Sequence, residues 1–172
     1  MTADAKMAVG VVIERRRIDN PWCDFDWRPV AAFAPAAAVD AWRPLAQGED
    51  WVQFHAATLP LELFRGETDG YRDNLGQPSP LLYVVLRPGE DAEEMEVEPF
   101  HVTACPYEAM GYHESGDEIV EGVTMPPEIA AWLAAFVDRH HQEAPFRKRR
   151  NKRHRDDRQG SRPRGRYSRG AP

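Results

Sequence analysis

Apolar residues in this chain first recur with a period of two and, near the end, with a period close to 3.6. "AVGVVIERRR" (8–17) is rich in β-branched residues and predicts a first strand, which the Asn20-Pro21 step ends. "WRPVAAF" (27–33) resumes extended structure, and Pro29 places it at a sheet edge. In "WVQFHAATLPLELF" (51–64), Val52, Phe54 and Ala56 alternate with Trp51, Gln53 and His55. Leu59, Leu61 and Leu63 continue the alternation of a half-buried strand past Pro60. "GETDG" (66–70) reads as a turn and "NLGQPSP" (74–80) as a loop. "LLYVVLR" (81–87) is a continuous apolar run suited to a fully buried strand, and "MEVEPFHVTA" (95–104) supplies another.

Two helices follow. Pro106 suits a first helical position and Gly116 a stop. Ile129, Trp132, Leu133, Phe136 and Val137 then fall on one helical stripe. Pro127 and Glu128 suit that helix's first turn, and Arg139, His140 and His141 its last. The pattern predicts an α+β domain: a mainly antiparallel sheet or small β-barrel of about six strands, covered by a packed C-terminal amphipathic helix.

Charge divides the chain. Residues 147–172 hold twelve Lys/Arg and two Asp/Glu, a net of +10; of the totals of 22 and 28, residues 1–146 keep ten basic and 26 acidic, a net of −16. The basic end has one aromatic, Tyr167, and no aliphatic residue larger than alanine. It lacks the apolar surface needed to offset chain ordering, so a disordered basic tail is expected over 147–172. That leaves a flexible N-terminus over 1–7 and a single domain over 8–146. Within the tail, Arg147, Lys148, Arg149, Arg150, Lys152 and Arg153 are candidate nucleic-acid contacts, because clustered cations neutralise phosphates. The same charge is also consistent with a fold-back onto the acidic domain or a purely solubilising extension.

Only two cysteines occur, Cys23 and Cys105. The N-terminus lacks a signal-peptide core and no apolar run approaches the ~20 residues of a membrane span, so a cytoplasmic protein with reduced thiols and no membrane contact is expected.

Candidate chemistry is sparse. The chain has no Gly-rich phosphate loop, nucleophile elbow or HExxH pair, and its histidines are scattered, so no metal or cofactor is expected. His140 and His141 are adjacent and suit a helix C-terminus better than chelation. Cys105, before Pro106 and following His101 on a strand, is the one possible reactive thiol. With no third orienting group visible, the reading preferred for it is a small buried residue ending that strand. The acidic runs "GEDAEEMEVE" and "ESGDEIVE" read as solvated faces.

The richest segment is "IDNPWCDFDWRPV" (18–30). Its aromatics either fold inward to cap the sheet or form a docking loop rimmed by charge. In the docking reading Trp22, Asp24, Phe25, Trp27 and Arg28 contact a partner protein. The charged stretch from Arg65 to Asp73 reads as a surface hairpin end.

"GVVIERRRIDNPWCDFDWRPV", "FHAATLPLELFRGETDGYRDNL" and "FHVTACPYEAMGYHESGDEIVEGVTMPPEIAAWLAAFVDRHH" closely resemble a bacterial domain family of unknown function. "LLYVVLR" and "PFRKRR" share in the likeness, which covers nearly all of residues 9–150. Its members are encoded beside formate dehydrogenase genes, and some are labelled molybdopterin-guanine dinucleotide biosynthesis protein A. That label conflicts with the residues: enzymes properly so named open with a strand and an LxGGxSxRMG loop, whereas "VGVVIERRRIDN" has no such loop. The resemblance implies a non-catalytic accessory or assembly protein whose partner is a subunit of a molybdenum-dependent formate dehydrogenase or one of its maturation factors. A nucleic-acid-associated module acting through the Arg/Gly-rich tail is the alternative, with weak nucleic-acid binding through the tail expected in either case, and a small thiol enzyme using Cys105 is a further one.

Overall fold

A computed structural model describes residues 2–89 and 95–142. The fold is α+β, with seven strands in two antiparallel sheets and three α-helices among the described residues. In the first sheet, β1 (Ala5–Arg17) and β4 (Trp51–Leu63) are central, flanked by β2 (Phe25–Phe33) and β3 (Arg43–Gln47), in the order β2-β1-β4-β3. In the second, β5 (Leu81–Pro88) lies between β6 (Val97–Thr103) and β7 (Ile119–Thr124). Among the described residues the two sheets are not joined into a single hydrogen-bonded barrel. Instead β4 lies against β6 and β2 against β7, so the sheets meet along two borders and curl round one core.

Strand β1 starts earlier than its apolar pattern suggests. Ala5–Met7, expected to be flexible, pair with Leu61–Leu63. Strand β2 is an edge strand, as Pro29 requires. Across β1, Val11 faces Ala57 and Val12 faces His55, leaving Ala56 as the extra residue of a β-bulge. A bulge shifts the alternation by one residue. That is why the inward series of β4 moves from Phe54 to Leu61 and Leu63. Strand β5 is the buried centre of its sheet, with Leu82, Val84, Val85 and Leu86 out of water.

The segment after β4 departs from the expected turn and loop. A 3-10 turn (Arg65–Glu67) leads into helix α1 (Thr68–Leu75). Its Tyr71 is fully buried, donating to Glu67 Oε2 (2.9 Å) and accepting from the Phe64 N–H (3.0 Å). Buried Asn74 donates to the carbonyls of Leu81 and Ala104 and accepts from the Leu81 N–H. The helix is therefore held by polar anchors rather than an apolar stripe.

Helix α2 (Pro106–Ser115) begins and ends where Pro106 and Gly116 predict, with Gly116 left-handed at φ 81°. Helix α3 (Pro127–His140) buries Ile129, Leu133, Phe136 and Val137 and packs against α1, Phe136 meeting Tyr71 edge-on. Strands β3 and β7 have no counterpart in the sequence pattern. The basic tail, including Arg147, Lys148, Arg149, Arg150, Lys152 and Arg153, lies outside the described residues. So do residues 143–146 of the expected domain and the acids of 90–94.

Candidate functional site

The 18–30 segment is the β1–β2 hairpin end. The Ile18 N–H donates to the Asp24 carbonyl (3.0 Å), closing the loop, and the Trp22 N–H donates to Asn20 Oδ1 (2.9 Å). That second bond is the self-bonded turn an Asn-Pro step favours. It fixes the backbone under Trp22, whose side chain is 91% exposed. Cys23 and Asp24 are exposed beside it.

From Phe25 onward the chain is strand, and period two takes over. Phe25, Trp27 and Pro29 turn toward the core while Asp24 and Arg28 face water. Trp27 is only 7% exposed, its Nε1 donates to Glu96 Oε2 (3.1 Å), and its ring meets Phe25 and Trp42 edge-on. Trp27 is thus a core residue, which corrects the expectation that it contacts a partner: strand register commits its side chain to the interior. Phe25 is half-buried, packed on the core beneath the guanidiniums of Arg15 and Arg17. Arg28 donates to Asp26 (3.0 Å), and this bond raises the guanidinium pKa. The structure therefore brings Trp22 and Asp24 together at the exposed turn and separates them from Trp27.

Cys105 caps α2 by position, but its side chain is buried and makes no capping bond. Burial raises the thiol pKa, outweighing the N–H groups of Glu108 and Tyr107 that favour the thiolate. The upstream histidine serves another group. His101 Nε2 lies 2.7 Å from Glu108 Oε1, and Thr103 Oγ1 donates to Glu108 Oε2 (2.7 Å). Burial would raise the Glu108 pKa, yet the His101 and Thr103 hydrogen bonds prevail and lower it. A shallow groove of about 1000 Å³ runs between the end of α1, the start of β5 and the start of α2, with Arg72, Tyr83 and Tyr107 on its walls. Tyr107 donates to Asp73 across it. Among the described residues no group of three His, Cys, Asp or Glu could hold a metal ion, and no helix is long and apolar enough to cross a membrane.

A family described as "Protein of unknown function (DUF3305)" matches residues 8–150. The chain belongs to the DUF3305 family. No curated protein and no solved structure matches it. The DUF3305 match takes in the hairpin, the groove and both cysteines, since it starts within β1 and runs beyond α3.

Two features of this DUF3305 chain escaped the sequence reading. Arg15 and Arg17 share the face of Ile13 on β1 and stack on the aromatics of β2 and β4. The alternation of Ile13, Arg15 and Arg17 against Glu14 and Arg16 carried that information. The charged stretch from Arg65 to Asp73, read as a hairpin end, is helical, with Tyr71 in the core.

Proposed function

We propose that this protein is a non-catalytic accessory factor that acts by protein–protein binding through the β1–β2 hairpin. The observation that carries the reading is Trp22, a large aromatic 91% exposed on a turn whose backbone is pinned by Asn20 and by the Ile18–Asp24 bond. Leaving an indole in water gains nothing for the fold, whereas a rigidly presented tryptophan loses little entropy on docking. Trp22, Asp24 and the outer edge of Phe25 form the contact, with Arg28 on the adjoining strand.

The partner proposed is a subunit of a molybdenum-dependent formate dehydrogenase, or one of its maturation factors. Support for it is the sequence resemblance to proteins encoded beside formate dehydrogenase genes. The net charge of −16 over residues 1–146 would steer encounter with a basic surface. The compartment proposed is the cytoplasm, in keeping with two free cysteines. A second reading, nucleic-acid binding through the tail, draws on its +10 charge. The thiol-enzyme reading gains nothing from a buried Cys105 with a raised pKa.

The test is affinity purification of the tagged full chain from its native cells. A formate dehydrogenase subunit or maturation factor is expected in the eluate. Ribosomes or nucleic acid without any such protein would favour the second reading.

A further inference from the structure

Beside the hairpin, β1 carries two arginines in an unusual state. Arg15 is half-buried, with Cζ 4.7 Å from the ring centre of Phe25, 5.5 Å from Phe54 and 5.8 Å from Trp27. Arg17, two positions on along the same face, lies 5.9 Å from Phe25. Neither side chain makes an ion pair or a hydrogen bond with a described residue, whereas Arg16, Arg28, Arg65 and Arg87 each hold a carboxylate. A guanidinium stacked on a ring keeps its in-plane N–H donors free. Here two such groups stand side by side over an apolar floor, inside a part of the chain with only ten basic residues against 26 acidic ones.

Two adjoining notches open in front of them. A notch of about 100 Å³ is lined by Arg15, Arg17, Phe25 and Trp51, and closed by the turn that contains Glu49 and Asp50. A second notch of about 370 Å³ shares Arg17 and Phe25 and continues past Asn20 and Asp24 toward the Trp22 turn. We propose that Arg15 and Arg17 form a receptor for a carboxylate side chain, an Asp or Glu carried by a segment of the docking partner that runs on along the hairpin. As a statement about the partner, this rests on the docking reading.

Charge selects carboxylate over phosphate. Asp19, Asp24, Glu49 and Asp50 line the two notches and outnumber the two guanidiniums, so the net field there disfavours the second charge of a dianion more than the single charge of a carboxylate. A planar carboxylate also matches the guanidinium fork in bidentate fashion. The half-buried position of Arg15 strengthens each hydrogen bond it donates.

The experiment follows the arginine Nε–Hε resonances of the full-length protein while a capped tetraglutamate peptide is added. Capped tetraglutamine and inorganic phosphate serve as comparisons at matched ionic strength. Saturable shifts at Arg15 and Arg17 are expected with the glutamate peptide and not with the glutamine peptide. Arg17→Gln should weaken the binding by about tenfold, since it removes a charge-assisted hydrogen bond from an exposed site. Its melting temperature should hold, which separates lost binding from lost folding. Absence of saturable shifts, equal response to the glutamine peptide, or tighter binding of phosphate would overturn the receptor. Trp22→Ala should leave tetraglutamate binding intact while reducing capture of the protein partner. If the peptide binds as described but Trp22→Ala leaves partner capture unchanged, the receptor stands and the docking reading fails.

Discussion

Strand β2 sends Trp27 into the core, where its Nε1 meets Glu96, while the turn ahead of it leaves Trp22 in water. The two tryptophans should therefore respond oppositely to truncation. Trp27→Ala opens a cavity and is expected to cost about 3–5 kcal/mol in urea denaturation. Trp22→Ala touches nothing packed and should stay within about 0.5 kcal/mol of the parent. This division was partly written in the sequence. Phe25, Trp27 and Pro29 alternate with Asp24, Asp26 and Arg28, the mark of a strand with one buried face, and that alternation points Trp27 inward. What it does not give is where the strand starts, so the exposure of Trp22 depends on a turn bond to Asn20 that composition cannot reveal. The cysteines divide in the same way. Cys23 is exposed and Cys105 buried with a raised pKa, so mass spectrometry after alkylation of the native protein at neutral pH should find Cys23 modified and Cys105 spared. Rapid labelling of both would mean that the α2 start is open.

At the scale of elements, legibility follows the source of each element's stability. Helix α3 and strand β5 draw theirs from apolar residues in regular spacing, so the sequence announces them. Helix α1, "TDGYRDNL", carries a mid-helix glycine and stands on hydrogen bonds made by Tyr71 and Asn74 to distant backbone, which no local pattern shows. Strands β3 and β7 are edge strands with little buried surface: all five residues of β3 are exposed, and β7 buries only Val123. Gly70 in α1 has a specific packing reason. A Cβ there would lie 2.5 Å from Cys105 Sγ and 3.2 Å from the Tyr107 ring. Gly70→Ala gains helix propensity, yet overpacking should dominate and destabilise the protein by about 1–3 kcal/mol, measured by thermal or urea unfolding. The α2 start also carries a pH dependence. The folded pKa of Glu108 lies below its ordinary 4.5, so its stabilising contribution is complete above that value and fades as pH falls through the lowered folded pKa. Glu108→Gln should therefore melt lower than the parent at neutral pH, and the difference should shrink under acid. A constant difference from pH 7 to pH 3 would contradict that origin.

For the molecule as a whole, the sequence disclosed the class of fold and the segregation of charge, but not how the sheets meet. Two sheets curl round one core because β4 lies against β6 and β2 against β7, contacts between residues far apart in the chain that periodicity cannot specify. The consequence for function is positional. The β1–β2 hairpin continues one of the two central strands of the larger sheet, so the Arg15–Arg17 pair is mounted on well-paired backbone, and Trp22 sits on the turn that joins those two strands. The most direct test of the docking account is capture of a formate dehydrogenase subunit or maturation factor from native cells by tagged full-length protein, with Trp22→Ala beside the parent. The account predicts that Trp22→Ala, folded and melting as the parent does, recovers that partner about tenfold less well. Equal recovery by both proteins would contradict it.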